Sequence, residues 1–443
     1  MKSIKKNFTN FLSISILLIT VSSILQWSSL PIDNTTLWWA IYAVILYLFW
    51  KAKEVIYDYQ NEKNIQFIKY YFAWNLICII RGIFVADNYW EWKNLVGTSM
   101  VLLLPLSIYI STNTDIIQKI ISFWLKYALP AFFLISLSFT YSDAVGRYLV
   151  PISFLLLFFP IIKKEWKIVV LIFALLVFIT DLNARSNVIK FAVPILFSIT
   201  YYFRFFFSTK IFEIARLLLM IAPFILFILG VTGVFNIFKM NDYIEGDYKT
   251  TIVELGEIKE GYLTADTRTF LYSEVLSSAI KYDYILFGRT PARGNDSPSF
   301  GLYNKEELKT GKMERFANEV SILNVFTWTG FTGVILYLLV FFRASYLAIN
   351  KSKSFIMKIV GLYVAFRWTF AWVEDFSKFD LSFLFLWIMI GMCYSNAFRE
   401  MNDVQIKYWI RGIFNLKYRI LLNKYNEYLL SKRITSEHFF NKN

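Results

Sequence analysis

A chain of 443 residues that is 57% hydrophobic, 20% aromatic and only 18% charged lies well outside the range of soluble globular proteins. Its two cysteines, Cys78 and Cys393, sit in apolar runs far apart, which argues against a disulfide framework or a cysteine metal site. The net charge of +14 would point to nucleic acid in a soluble protein; here membrane topology absorbs most of it, and no nucleic-acid partner is expected.

Apolar windows near the roughly 20 residues that cross a bilayer fall at 11–30, 37–50, 65–85, 95–111, 119–139, 145–162, 166–180, 187–207, 211–235, 320–342, 355–373 and 379–397. The expected fold is therefore an all-α polytopic membrane protein of about 12 spans. Residues 1–235 hold spans one to nine, 236–319 form a large polar loop with short helices, 320–397 hold the last three spans, and 398–443 form a basic tail. No secretory cleavage site follows the first apolar run, so it reads as a retained helix.

Lys/Arg bias orients the chain. Lys2, Lys5 and Lys6, then Lys51, Lys53 and Lys63, then Lys163, Lys164 and Lys167, then Arg343, Lys351 and Lys353 fall on alternate connections. The tail after Phe398 adds nine Lys/Arg against four Asp/Glu. Both termini are expected in the cytoplasm and the loop outside it. In the tail, Tyr408, Trp409, Ile410, Phe414, Leu416 and Tyr418 among basic residues fit either an amphipathic helix on anionic lipid or a solvated tail.

Within the loop, the acidic stretch 236–266 reads as a solvated face. Asp266 is placed to cap a helix carrying Leu271, Val275, Leu276, Ala279 and Ile280 at helical spacing, and Gly288, Pro291 and Gly294 impose turns.

Several cations stand on the side where positive charge is normally avoided. Arg81 and Arg147 fall near outer ends of the third and sixth spans, Arg185 and Lys190 where the eighth begins, and Arg367 in the outer half of the eleventh. The loop adds Arg268, Arg289 and Arg293. A charge within hydrocarbon costs about 2.5–3.5 kcal/mol, so such residues face a partner or a polar cavity. Snorkelling or pairing with Asp87, Asp143, Asp181, Glu374 or Asp375 accounts for single members. As a set they suit an anion. Arg268, at a helix start where the macrodipole disfavours a cation, suits a bound phosphate best.

The single histidine, His438, lies in the tail, and neither a Walker loop nor a G-x-S-x-G elbow is present. No metal or cofactor is expected. A general base outside would have to be a carboxylate. Glu319, in ANEVSILN (317–324), either marks the water interface or fills that role, and Asp266 is the second candidate.

Three stretches carry a family resemblance: LNARSNVIKF (182–191), DTRTFLYSEVLSSAIKYDYILFGRT (266–290) and NEVSILNVFTWTGFTGVILYL (318–338). With the loop before the last spans, they resemble the O-antigen polymerase and O-antigen ligase superfamily of bacterial membrane glycosyltransferases, polytopic and GT-C-like. The resemblance implies a metal-independent enzyme of the bacterial cytoplasmic membrane. Its substrate would be a polyprenyl-pyrophosphate-linked oligosaccharide, and a chain-length regulator and a flippase would be candidate partners. Catalytic roles would fall to Glu319, Arg268 and Arg289, with Arg185, Arg293, Arg367, Arg147, Arg81 and Lys190 binding substrate. Ligases of the group carry a histidine at the loop exit, where Ala317, Asn318 and Glu319 stand here; this favours a polymerase. A ligase and a lipid-linked oligosaccharide flippase remain the alternatives.

Overall fold

The computed structural model describes residues 2–32, 34–180, 185–239, 242–243, 249–254, 257–262, 266 and 268–440. The first half is helical: α1 (Lys2–Ser22), α2 (Thr35–Val55), α3 (Gln66–Ile83), α4 (Tyr89–Leu103), α5 (Ile108–Ser111), α6 (Thr114–Ile135), α7 (Asp143–Tyr148), α8 (Val150–Leu156), α9 (Lys164–Thr180), α10 (Arg185–Ile199) and α11 (Thr209–Val231). The loop holds strands β1 (Lys249–Glu254) and β2 (Glu257–Tyr262), then α12 (Thr269–Lys281), β3 (Asn295–Asp296), α13 (Gly301–Glu306) and β4 (Glu314–Arg315). The chain ends with α14 (Ser321–Asn350), α15 (Phe355–Phe370), α16 (Leu381–Tyr394), α17 (Asn396–Glu400), α18 (Asp403–Phe414) and α19 (Leu416–Phe440).

Six stretches among the described residues are long and apolar enough to cross a membrane: Asn7–Trp27, Thr35–Val55, Tyr89–Ser111, Thr114–Ser138, Thr209–Val231 and Ser321–Asn350. Ser186–Ile199 and Leu381–Tyr394 are shorter apolar helices. Lipid-facing surface is visible in the side chains. Ile168, Leu171, Ile172, Leu175 and Ile179 of α9, and Leu218, Ile221, Ile225 and Ile228 of α11, are all exposed at three- and four-residue spacing. The chain is a mostly helical membrane protein. Its sixth apolar window is not one helix: Pro151 has no N–H to continue from α7, and 145–162 breaks into α7, α8 and a final turn at Phe159–Ile161.

The interior is built around α16, all of whose residues are buried. It is apolar all round, as a helix enclosed by others must be, and α14, α15, α5, α8 and α1 pack against it. Proline shapes the next layer. Pro223 in α11 cannot donate to Leu219, and the freed carbonyl accepts from the Thr369 hydroxyl of α15 at 2.5 Å.

In the tail, α18 opens with a reciprocal Asn402/Gln405 capping box. Its apolar face lies on protein, in contrast to either sequence reading of this segment. Trp409 and Ile410 are buried, the Trp409 indole donates to Thr114 O at 2.9 Å, and Arg411 Nε donates to Ile161 O at 2.9 Å. In the loop, the helix expected after Asp266 forms. Leu271, Val275 and Ala279 are buried, whereas Ile280 turns outward. The loop is not purely helical: β1 and β2 pair as an antiparallel hairpin from Lys249↔Tyr262 to Glu254↔Glu257, and β3 pairs with β4.

The loop is tied to the bundle at a break in α14. Gly330 has φ 70° and ψ −175°, outside any helical region. Across the break the Thr327 carbonyl, which Phe331 N–H would otherwise reach, accepts Arg289 N–H at 2.7 Å, and Phe331 N–H donates to Ile285 O at 2.8 Å. Trp74 of α3 donates to Thr329 O at 2.8 Å, and Arg81 Nη1 donates to Phe287 O at 2.6 Å. Gly288, at φ 71°, lies so close that a Cβ there would sit 2.5 Å from Gly330 N. Gly288→Ala and Gly330→Ala should each cost about 1–3 kcal/mol from backbone strain alone. Heating in detergent should show earlier loss of monodisperse protein, and an unchanged profile would contradict this joint.

Candidate functional site

Three of the cations flagged by their position converge beneath the loop. Asn187 of α10 packs onto Gly146 of α7, where an added Cβ would meet its amide at 2.5–2.9 Å, and its Nδ2 donates to Asp143 O at 3.4 Å. That contact brings Arg147, the next residue of α7, toward Lys190, one turn along α10. Arg367 approaches from α15. Lys190 is 5% exposed and Arg367 3%. Lys190 is in electrostatic reach of Arg147, Arg367, Glu374 and Asp380.

Yet among the described residues no carboxylate oxygen comes within 4.0 Å of Lys190, Arg147 or Arg367. Arg147 instead stacks 3.7 Å from the Trp27 ring centroid, and Arg367 4.2 Å from that of Phe376. Arg367 Nε and Arg147 Nε are buried without a hydrogen-bond partner. Arg185 begins α10; its side chain lies outside the described residues, as does Asp181.

A second group adjoins the first through Glu374. Asp266 accepts the N–H groups of Arg268 and Thr269 at 3.1 and 3.0 Å, so its carboxylate meets the start of α12 from two residues ahead, while the N-cap position itself is Arg268. Arg268 is thereby held at the helix start. Its Nη1 lies 2.5 Å from Glu319, its Nη2 3.7 Å from Glu374, and its Nε donates to Val373 O at 3.4 Å. Glu319 also receives Arg315 Nη2 at 3.1 Å, so each of its oxygens meets a guanidinium. Burial pushes the Glu374 carboxyl up, against the pull of Lys190 and Arg268.

Arg289 and Arg293 have other work. They share Glu314: Arg289 Nη2 lies 3.0 Å from it, and Arg293 forms a two-pronged pair with it, Nε at 3.0 Å. Asp296 adds 3.4 Å to Arg289, while Glu91 binds Lys312 at 2.5 Å and lies 3.6 Å from Arg293. This network staples the loop to α4. Arg81 likewise holds the turn at Phe287–Gly288. These three arginines were grouped with the others by charge and position alone, and three-dimensional pairing separates them.

Two hollows flank the charged groups. One, of about 300 Å³, is apolar and lies between α11, α12 and α15, walled by Pro223, Phe227, Tyr272, Trp372 and Val373. Val373 is the residue whose carbonyl receives Arg268 Nε. The other, of about 550 Å³, opens between the loop-side ends of α1, α2 and α4 and includes Trp27, Lys378 and Asp380.

No family model, no curated protein and no solved structure matches this chain.

Sequence reasoning missed Arg315, Lys378 and Asp380. Asp380 precedes an apolar run and accepts Phe383 N–H at 2.9 Å, an N-cap signal legible in KFDLSF (378–383). Nothing in the sequence indicated that the same residue would line a cavity.

Glu314 is 4% exposed on its side chain and serves two arginines. Glu314→Gln should therefore cost about 3 kcal/mol by leaving buried charge unpaired, read as earlier proteolytic cutting in the loop. Burial pushes the Asp296 carboxyl up, but Lys281, Tyr282 and Arg289 together hold it below its ordinary value. Asp266 is likewise held low: burial opposes, and the hydrogen bonds from Thr269 and Arg268 prevail. Depressed carboxyls lend stability above the unfolded-state value, about pH 4, and lose it as pH falls through the folded one. The protease resistance of the loop should be flat from about pH 7 to 5 and fall below about pH 4; a fall already at pH 6 would contradict the pairing.

Proposed function

We propose that this protein joins oligosaccharide repeat units carried on polyprenyl pyrophosphate, at the outer face of the bacterial cytoplasmic membrane. The observation that carries the reading is the convergence of buried Lys190 and Arg367 with half-buried Arg147, with no carboxylate at ion-pair distance among the described residues. Unpaired buried cations are costly, and a multiply charged anion is their complement. The apolar hollow supplies the second half of a lipid diphosphate. A prenyl chain lying along Phe227, Tyr272 and Trp372 would bring its headgroup to Arg268, through the Val373 carbonyl that wall and guanidinium share.

The chemistry is a glycosyl transfer. An acceptor hydroxyl oxygen forms a bond to the anomeric carbon of the donor. The bond from that carbon to pyrophosphate breaks, and its electron pair leaves with the polyprenyl pyrophosphate. The hydroxyl proton is released to water. Pyrophosphate leaves readily, so fixed cations around it and correct placement of the acceptor supply the catalysis. Arg268, Lys190 and Arg367 take that part. Arg289 and Arg293, held by Glu314, support the loop that presents Arg268.

Glu319 enters this reading as a positioning residue. Two guanidiniums, one on each oxygen, occupy the lone pairs a base would use. It fixes Arg268 between Glu319 and Glu374.

Lys190→Met and Arg367→Met should each lower polymer formation by about a hundredfold at normal protein level, leaving single repeat units on a polysaccharide gel. A normal ladder from either variant would sink the proposal. Glu319→Gln should shorten the ladder while keeping the pH profile of the native enzyme; loss of the profile's acid limb would return the base role to Glu319.

A further inference from the structure

The 550 Å³ cavity differs in kind from the apolar hollow, and its volume is within the roughly 300–1,000 Å³ of small-molecule sites. Trp27, Trp39, Tyr42, Trp90 and Trp328 contribute to its wall. Rings serving only as an interfacial belt stand out toward lipid, as Trp50 and Tyr89 do at 56% and 67% exposure. None of these five is exposed in that way, and Trp328 is 3% exposed. Between the rings lie hydrogen-bonding groups: Thr35, Asn94 and Thr98 with Lys93 and Lys378, against Asp380 as the one carboxylate lining it among the described residues. Flat apolar faces alternating with short polar groups match a sugar, which offers a face of C–H bonds and an edge of hydroxyls.

The cavity also adjoins the charged group. Trp27, in its wall, lies 3.7 Å from Arg147 and 5.3 Å from Lys378, and Asp380 is in electrostatic reach of Lys190. Asp380 Oδ1 caps α16 through Phe383 N–H, which fixes the carboxylate at the cavity edge.

We propose that this cavity is a saccharide-binding subsite, in which a sugar ring stacks on the tryptophan faces and one of its hydroxyls donates a hydrogen bond to Asp380. That the sugar is the acceptor rests on the glycosyl-transfer reading; recognition of a saccharide does not. The subsite borders the cation group at Arg147 through Trp27, whereas the prenyl hollow borders Arg268 through Val373, so that the two substrates meet the cations at different residues.

Full-length protein in lipid nanodiscs tests this through its tryptophan fluorescence. The probes are oligosaccharide fragments released by mild acid from the surface polysaccharide of cells carrying the protein, and farnesyl diphosphate. The fragments should give a saturable change in the native protein. Asp380→Asn retains the cap and should weaken fragment binding about tenfold, the loss expected for a hydrogen bond to a charged group. Gly97→Phe should abolish it: a Cβ at Gly97 approaches only Trp39 Nε1, at 3.9 Å, so the new ring grows into the cavity without backbone strain. Both variants should still bind farnesyl diphosphate as the native protein does, which also shows that they fold. Fragments without effect on native protein that does bind farnesyl diphosphate would overturn the subsite and leave the donor reading standing. Fragment binding without farnesyl diphosphate binding would support the subsite and overturn the donor reading. Equal displacement of fragments by glycerol 1-phosphate would assign the cavity to a lipid headgroup and overturn the proposal.

Discussion

A cation buried without a counter-ion is the constraint on which this structure turns. Desolvation of Lys190 and Arg367 costs several kcal/mol each unless something negative lies close, and the fold withholds a carboxylate at contact distance among the described residues. Glu374 and Asp380 stand farther off, near enough to moderate the charge. Aromatic faces do the rest: Trp27 under Arg147 and Phe376 under Arg367 solvate guanidinium weakly, and an anion can still compete for it. Direct ion pairs would have made the same helices more stable and the site inert.

Holding such a cluster in register requires rigidity from elsewhere, and the protein obtains it by interrupting its own helices. At Gly330 the α14 ladder is cut and completed by the loop, so that Arg289 N–H takes the carbonyl Phe331 would have used. At Pro223 the lost bond of α11 is replaced by Thr369 of α15. Each break converts a bond internal to one helix into a bond between two elements. Because the freed carbonyls of Thr327 and Leu219 both find partners, the exchange fixes geometry with little loss of stability. The Glu314 network performs the same task at the other edge of the loop with charge instead of backbone.

Legibility of the site from sequence divided along physical lines. A cation that departs from the Lys/Arg bias of the short connections is visible in a string of letters, because that bias is a matter of counts near each apolar window. All of the cations that converge were found this way. So were Arg81, Arg289 and Arg293, which do not join them, because whether a guanidinium is neutralised depends on a partner such as Glu314 that lies 21 residues from Arg293 and on Glu91, far earlier in the chain. The contact of Asp266 with the start of α12 was readable since it involves neighbours within three residues. The β1–β2 hairpin was not, its short acidic and β-branched stretch having no clear period.

Composition and apolar periodicity by themselves determined that the chain is a mostly helical membrane protein with one long polar loop, because a hydrocarbon solvent admits few alternatives for the backbone. They also placed the starts of α10 and α15 to within two residues, though not the break between α7 and α8. Tertiary structure alone decided which cations meet and which are neutralised, that α18 packs on α6 and not on lipid, and that ends of α1, α2 and α4 enclose a cavity with aromatic walls. Those outcomes depend on distances between residues from 21 to nearly three hundred positions apart, and such distances are set by packing, which no local pattern encodes.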